Sequence, residues 1–175
     1  MPNQVIEYLS GRGVAFTVLP LPGSHSLEET AARHGCRIED SVRTTAYVNR
    51  FGLALTVVPA RAEPDLALVR RAMDDPGARL ATAREVALTF LELDPDALPP
   101  LGLLLDAPLY VDPAVADLPE VVFAAGRSSL AILIPTAALF RDDPVLIAPL
   151  IPESVPAEPA RLPDPRDMLP VHLAG

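Results

Sequence analysis

The run Asp94-Pro95-Asp96-Ala97-Leu98-Pro99-Pro100-Leu101-Gly102 is the part of this chain best suited to wall a binding pocket. Two successive prolines fix φ and remove two backbone donors, and Gly102 permits either a positive φ or the close approach of a ligand. Two short apolar stretches follow. Leu109-Tyr110-Val111 ends in Asp112, and Val121-Val122-Phe123-Ala124-Ala125 ends in Gly126. Familiar catalytic sets are hard to assemble from the rest. His25, His34 and His172 are scattered, and Cys36 is the one cysteine, so neither an intrachain disulfide nor a metal-ligand spacing is offered. Ser128 and Ser129 fall in a hairpin turn, where serine is common for backbone reasons, and no Ser/His/Asp arrangement presents itself. No phosphate loop of Walker or dinucleotide type is present. Neither a metal nor a cofactor is expected.

Charge and composition narrow the partners. The chain has 175 residues and a formal charge of −9. All 14 of its basic residues are arginine. The first 90 residues balance ten arginines against ten acids, so the second half carries the whole excess. An acidic chain does not draw in a polyanion by its overall field. Contact with a nucleic acid would therefore need a local patch in the first half, from Arg33, Arg37, Arg43, Arg50, Arg61, Arg70 and Arg71; solvated surface arginines are the plainer alternative. No basic leader precedes an apolar run, and none of the apolar runs could span a bilayer. The expectation is a cytoplasmic protein with no membrane and no DNA partner.

The elements that must position these residues read as follows. Asn3 caps a helix over 3–10, and an alternating strand covers 14–19. Ser26 and Glu29 form a capping box for a helix running to about residue 35. A hairpin joins strands 42–49 and 53–58. Helices are expected over 65–73 and, capped by Thr82, over 83–91. Strands near 109–112, 121–125 and 130–134 come next, and Thr136 should cap a short helix through 140. Prolines are dense from residue 144 onward, which suggests a tail over 143–175 rather than a second domain; its apolar start, Val145-Leu146-Ile147, could pack on the core or on a protein partner. Helices and hairpins mix without regular alternation. The expected fold class is therefore α+β, a single domain with a curved, mostly antiparallel mixed sheet surrounded by helices.

Six landmarks stand in order: Arg43-Thr44, Val58-Pro59, Asp65-Leu66, Pro100-Leu101-Gly102, Val111-Asp112 and Ala125-Gly126. Their order and spacing over residues 3–142 resemble the YbaK/ProRS-associated family of aminoacyl-tRNA editing domains. The resemblance implies an aminoacyl-tRNA deacylase, which clears a mischarged amino acid from the 3′ end of tRNA. It implies a pocket with Arg43 where the family has lysine, as the catalytic cation holding the substrate's oxygens. Thr44, Asp96, Pro99, Pro100, Gly102, Gly126 and Ser128 would bind the substrate.

Two departures bear on the chemistry. Arginine effectively cannot give up its proton as lysine can. Asp96 stands where a Gly-x-x-x-Pro loop would begin, and its carboxylate could oppose the negative charge that develops in ester hydrolysis. Asp96 could instead pair with Arg43 across the pocket, or be a turn residue pointing outward. The alternative reading is thus a catalytically degenerate module that binds a tRNA 3′ end, a nucleotide, an amino acid or a protein.

Overall fold

The computed structural model describes residues 3–21 and 26–153, so His25, His172 and most of the proline-rich tail lie outside the described residues. In chain order the elements are α1 (Gln4–Gly11), β1 (Thr17–Pro20), α2 (Leu27–Arg33), β2 (Val42–Asn49), β3 (Gly52–Pro59), α3 (Leu66–Ala72), β4 (Arg79–Leu80), α4 (Ala83–Thr89), α5 (Gly102–Leu105), β5 (Leu109–Val111), α6 (Pro113–Ala116), β6 (Glu120–Ala124), β7 (Leu130–Pro135), α7 (Thr136–Leu139) and β8 (Val145–Ile147).

Local caps start the longer helices as the sequence requires. The Asn3 side chain accepts from the amides of Val5 and Ile6. Ser26 with Glu29, and Thr82 with Glu85, complete reciprocal capping boxes on α2 and α4, and Asp65 caps α3.

The fold is a single α+β domain. Its curved, mostly antiparallel array is divided into a three-stranded sheet, β1-β7-β6, and a five-stranded sheet, β4-β2-β3-β5-β8. All pairings are antiparallel except β3–β5 and β5–β8. One isolated bridge, Ser41 to Val122, joins the sheets. The main core fills the space between them. Val42, Ala46, Leu55 and Val57 from one sheet meet Val121, Phe123, Ile132 and Ile134 from the other, with α1, α4 and Leu98 closing the sides. Period-two alternation sends Tyr47, Ala54, Val58 and Tyr110 to the opposite face of the five-stranded sheet, against α3 and Leu150. α2 covers the outer face of the smaller sheet through Ala31.

The structure shifts several boundaries. β1 starts at Thr17, not Val14, and runs through Pro20; proline is tolerated there because β1 is an edge strand. α4 stops at Thr89, where Phe90 leaves helical geometry. Pro135, not Thr136, occupies the cap of α7, and Thr136 is its buried first residue. The domain also extends beyond residue 142. β8 adds to β5, Leu150 is fully buried, and the Asp112 carboxylate accepts from the amides of Leu150 at 2.8 Å and Ile151 at 3.3 Å.

Candidate functional site

Two adjoining clefts open along β2 beside the turn at 94–98. One has a volume of about 500 Å³ and the other about 370 Å³. Arg43, Thr44, Asp96 and Leu98 line both, so these four mark the junction. The larger lobe is mixed, with Tyr47, Glu63 and Thr45 in its wall beside Leu66, Leu80 and Val86. The smaller is walled by Leu21, Leu27, Val42 and Ala97, with Glu28 and Ser128 at its polar points.

The floor of the junction is an uncovered stretch of strand edge. Ser41 O accepts from Ala60 N–H at 2.9 Å, which makes the two a hydrogen-bonded pair of the β2–β3 ladder. Antiparallel alternation then gives the main-chain groups of Arg43, Thr45 and Tyr47 to β3 and turns those of Thr44 and Ala46 to the other edge. Ala46 O accordingly accepts from Ala81 N–H at 3.0 Å. Thr44 has no strand paired to this edge among the described residues. β4 covers β2 only at Tyr47 and Val48, and the bridge to β6 lies at Ser41.

The side chains at the junction are incompletely satisfied. Arg43 is half-buried; one terminal nitrogen donates to Ala62 O at 2.8 Å and lies 3.1 Å from Glu63 Oε1. Its Nε is covered and has no partner among the described residues. Thr44 is 7% exposed, and its Oγ1 is likewise covered and unpartnered. Leaving such a hydroxyl unpaired costs about 1–3 kcal/mol. Tyr47 lies on the same strand face as Arg43. Burial, with the charge of Glu63, pushes its phenol above the ordinary range, while Arg43 acts the other way.

Opposite stands a stiff turn. Ala97 N–H donates to Asp94 O at 2.9 Å, with Pro95 at the position where a fixed φ favours the turn. Asp96 N–H donates to Asp94 Oδ1 at 3.0 Å. Gly126 staples this turn from both ends: its carbonyl accepts from Asp94 N–H at 2.9 Å and its amide donates to Ala97 O at 2.8 Å.

Arg43, Thr44 and Asp96 therefore meet at one place, and Ser128 joins them in the smaller lobe. The other named residues stand apart. Pro99 and Pro100 are buried and line neither lobe. Gly102 starts α5, and a Cβ there would come within 2.8 Å of Ala107 O, so its close approach is to the protein's own backbone. Gly126 lies behind the turn against Leu93. Arg43 pairs with Glu63, and no ion pair joins it to Asp96. Of the arginines considered for a patch, Arg37 pairs with Asp40 and Arg50 with Asp74, whereas Arg33, Arg61 and Arg71 have no ion pair among the described residues. Sequence reasoning misses Tyr47, Glu63 and Glu28. Alternation from Arg43 points to Tyr47, but nothing local marks Glu63 or Glu28.

The family model of the aminoacyl-tRNA editing domain matches residues 22–141. No curated protein matches the sequence. Among solved structures, a scaffold from computational grafting of linear epitopes is 23% identical, with a TM-score of 0.74 over 85% of this chain and 95% of that one. A protein provisionally assigned as a trans-editing enzyme for prolyl tRNA synthetase is 24% identical, with a TM-score of 0.72 over 87% of this chain and 99% of that one. A hypothetical protein is 21% identical, with a TM-score of 0.72 over 84% and 98%. At these identities the likeness is one of fold.

Proposed function

The chain belongs to the aminoacyl-tRNA editing domain family, and on that premise we propose that it is an aminoacyl-tRNA deacylase acting in trans on a mischarged tRNA in the cytoplasm. The observation that carries this reading is the shared junction. One guanidinium, one strand edge and one rigid turn face a common cavity large enough for two chemically different groups. The larger lobe, with apolar walls for a base and polar groups at its rim, suits the terminal adenosine, and the smaller, more apolar lobe suits a small amino-acid side chain.

Water attacks the acyl carbon, the bond from that carbon to the ribose oxygen breaks, and free amino acid and tRNA leave. Arg43 donates to the carbonyl oxygen as negative charge gathers on it. The guanidinium stays protonated throughout, so its part is electrostatic and positional. The outward amide of Thr44 is a fixed dipole beside it. Pro99, Pro100, Gly102 and Gly126 support this site through the turn and its backing rather than by touching substrate.

The test is hydrolysis of a panel of mischarged aminoacyl-tRNAs. At least one should be cleared well above its spontaneous rate. Arg43→Ala should lower that rate about 100-fold or more, the usual effect of deleting an oxyanion donor. No acceleration across the panel would overturn the assignment.

A second reading has its own support. Arg43 is already engaged by Ala62 and Glu63, and the Asp96 carboxylate stands at the junction. A binding module without chemistry would be inert on every tRNA and would gain turnover in Arg43→Lys combined with Asp96→Gly.

A further inference from the structure

We propose that Asp96 and Thr44 make the junction selective for a free α-ammonium, so that esters of unblocked amino acids enter and N-acylated or peptidyl esters are refused. This rests on the deacylase reading and adds to it a rule for which esters qualify.

The first argument is charge at the junction. Three carboxylates, Glu28, Glu63 and Asp96, line the two lobes against a single cation, Arg43. Glu63 is taken by Arg43 at 3.1 Å. Glu28 and Asp96 have no ion pair among the described residues, and of these only Asp96 reaches both lobes. A place with surplus negative charge favours a cation. The one cation on an aminoacyl ester is its α-ammonium, which sits a single carbon away from the carbonyl that Arg43 would hold.

The second argument is placement. Asp96 belongs to a turn closed by Asp94 and clamped by both backbone groups of Gly126. Little additional freedom is lost when its carboxylate meets a ligand, so the contact adds selectivity at low entropic cost.

The third argument comes from Thr44 and is independent of charge. Its hydroxyl is more than nine-tenths buried, belongs to a residue that lines both lobes, and has no partner among the described residues. An ammonium carries three donors. One can go to Asp96 and a second to Thr44 Oγ1. An acylated nitrogen is neutral, has one donor and carries added bulk, so it would leave Asp96 without a counter-charge.

The test uses the full chain and two non-hydrolysable probes. These are 3′-aminoacylamino-3′-deoxyadenosine and the same molecule acetylated on its α-nitrogen, with affinities measured by calorimetry. The free amine should bind at least tenfold more tightly. Asp96→Asn, a change on an exposed turn, should shrink that ratio below threefold, weakening the free amine and easing the acetylated probe; Thr44→Val should narrow it, and Thr44→Ser should restore it. Equal binding of the two probes to the wild type, or tighter binding of the acetylated one, overturns the selectivity and leaves Arg43-dependent deacylation standing. Failure of both probes to bind overturns it too, and the tRNA panel then decides the deacylase reading separately.

Discussion

Gly126→Ala tests whether the turn bearing Asp96 is held from behind. Gly126 sits at φ +80, and a Cβ there would lie 2.6 Å from Leu93 Cδ2. Two penalties add. The left-handed backbone costs a non-glycine residue about 1–2 kcal/mol. Displacing Leu93, which is buried, adds an overpacking cost of about 1–3 kcal/mol. Gly13 supplies a matched control: it sits at φ +67 with nothing within 4 Å of the place a methyl would take, so Gly13→Ala bears the backbone cost alone. The expected loss is about 3 kcal/mol for Gly126→Ala against about 1–2 for Gly13→Ala. For a chain of this size 3 kcal/mol lowers Tm by roughly 6–12 °C. Urea titrations followed by circular dichroism, with thermal melts beside them, measure both. The functional corollary is that Gly126→Ala lowers deacylation at a temperature where it is still fully folded, because the amide and carbonyl that clamp Asp94 and Ala97 move with it. Equal destabilisation by the two substitutions would refute the contact with Leu93, and an intact rate in folded Gly126→Ala would refute the clamp.

Three further outcomes follow from the same geometry. Arg79 and the cap amide of Thr82 hold the Glu85 carboxyl down to about 2; since the folded value is depressed, its contribution is present above the unfolded pKa and fades as pH falls from about 4.5 toward 2. Thermal melts across that window should lose less for Glu85→Gln than for wild type, and parallel acid limbs would contradict this. Asp112→Ala removes a buried carboxylate that accepts from Ala114, Leu150 and Ile151; it should cost about 2–4 kcal/mol and speed hydrogen exchange at the Leu150 amide more than at Val57, whereas uniform exchange changes would show that the C-terminal segment is not tied there. Burial, then Glu120 and Asp40, push the Cys36 thiol above its ordinary range, so native protein should react with a disulfide reagent far more slowly than urea-unfolded protein, and comparable rates would count against the buried placement.

What could be read in the sequence was written locally. The caps at Asn3, Ser26, Asp65 and Thr82 each concern residues within one turn, and the β2–β3 hairpin is an alternation closed by Asn49-Arg50-Phe51-Gly52. Elements of two to four residues, β4, α5 and α6, are too short to show a period. β8 was hidden by the prolines around it, because nothing local says that Val145-Leu146-Ile147 finds β5. At the site, the strand residues Arg43 and Thr44 and the turn residue Asp96 were accessible from order and type. The prolines were misleading for a physical reason: the stiffness that suits a pocket wall also suits a buried corner, and Pro99 and Pro100 serve the second role.

The uncovered edge at Thr44 puts main-chain groups as well as side chains at the site. A strand edge left without a neighbour inside a domain is ordinarily closed by another strand, a helix or water. Here β4 pairs at Tyr47 and Val48 and β6 bridges at Ser41, so among the described residues no strand pairs with the two main-chain groups of Thr44 between them. Their positions are set by the β2–β3 register, which eight residue pairs fix. Arg43 and Thr44 flank that edge from opposite faces of the sheet, and each retains one covered, unpartnered atom. Replacing a side chain on either face leaves the main-chain donor and acceptor where they were, whereas shifting the register moves every group at once. Catalysis in this chain should therefore depend more steeply on the hairpin and on the turn clamped by Gly126 than on whether residue 43 carries a guanidinium or an amine.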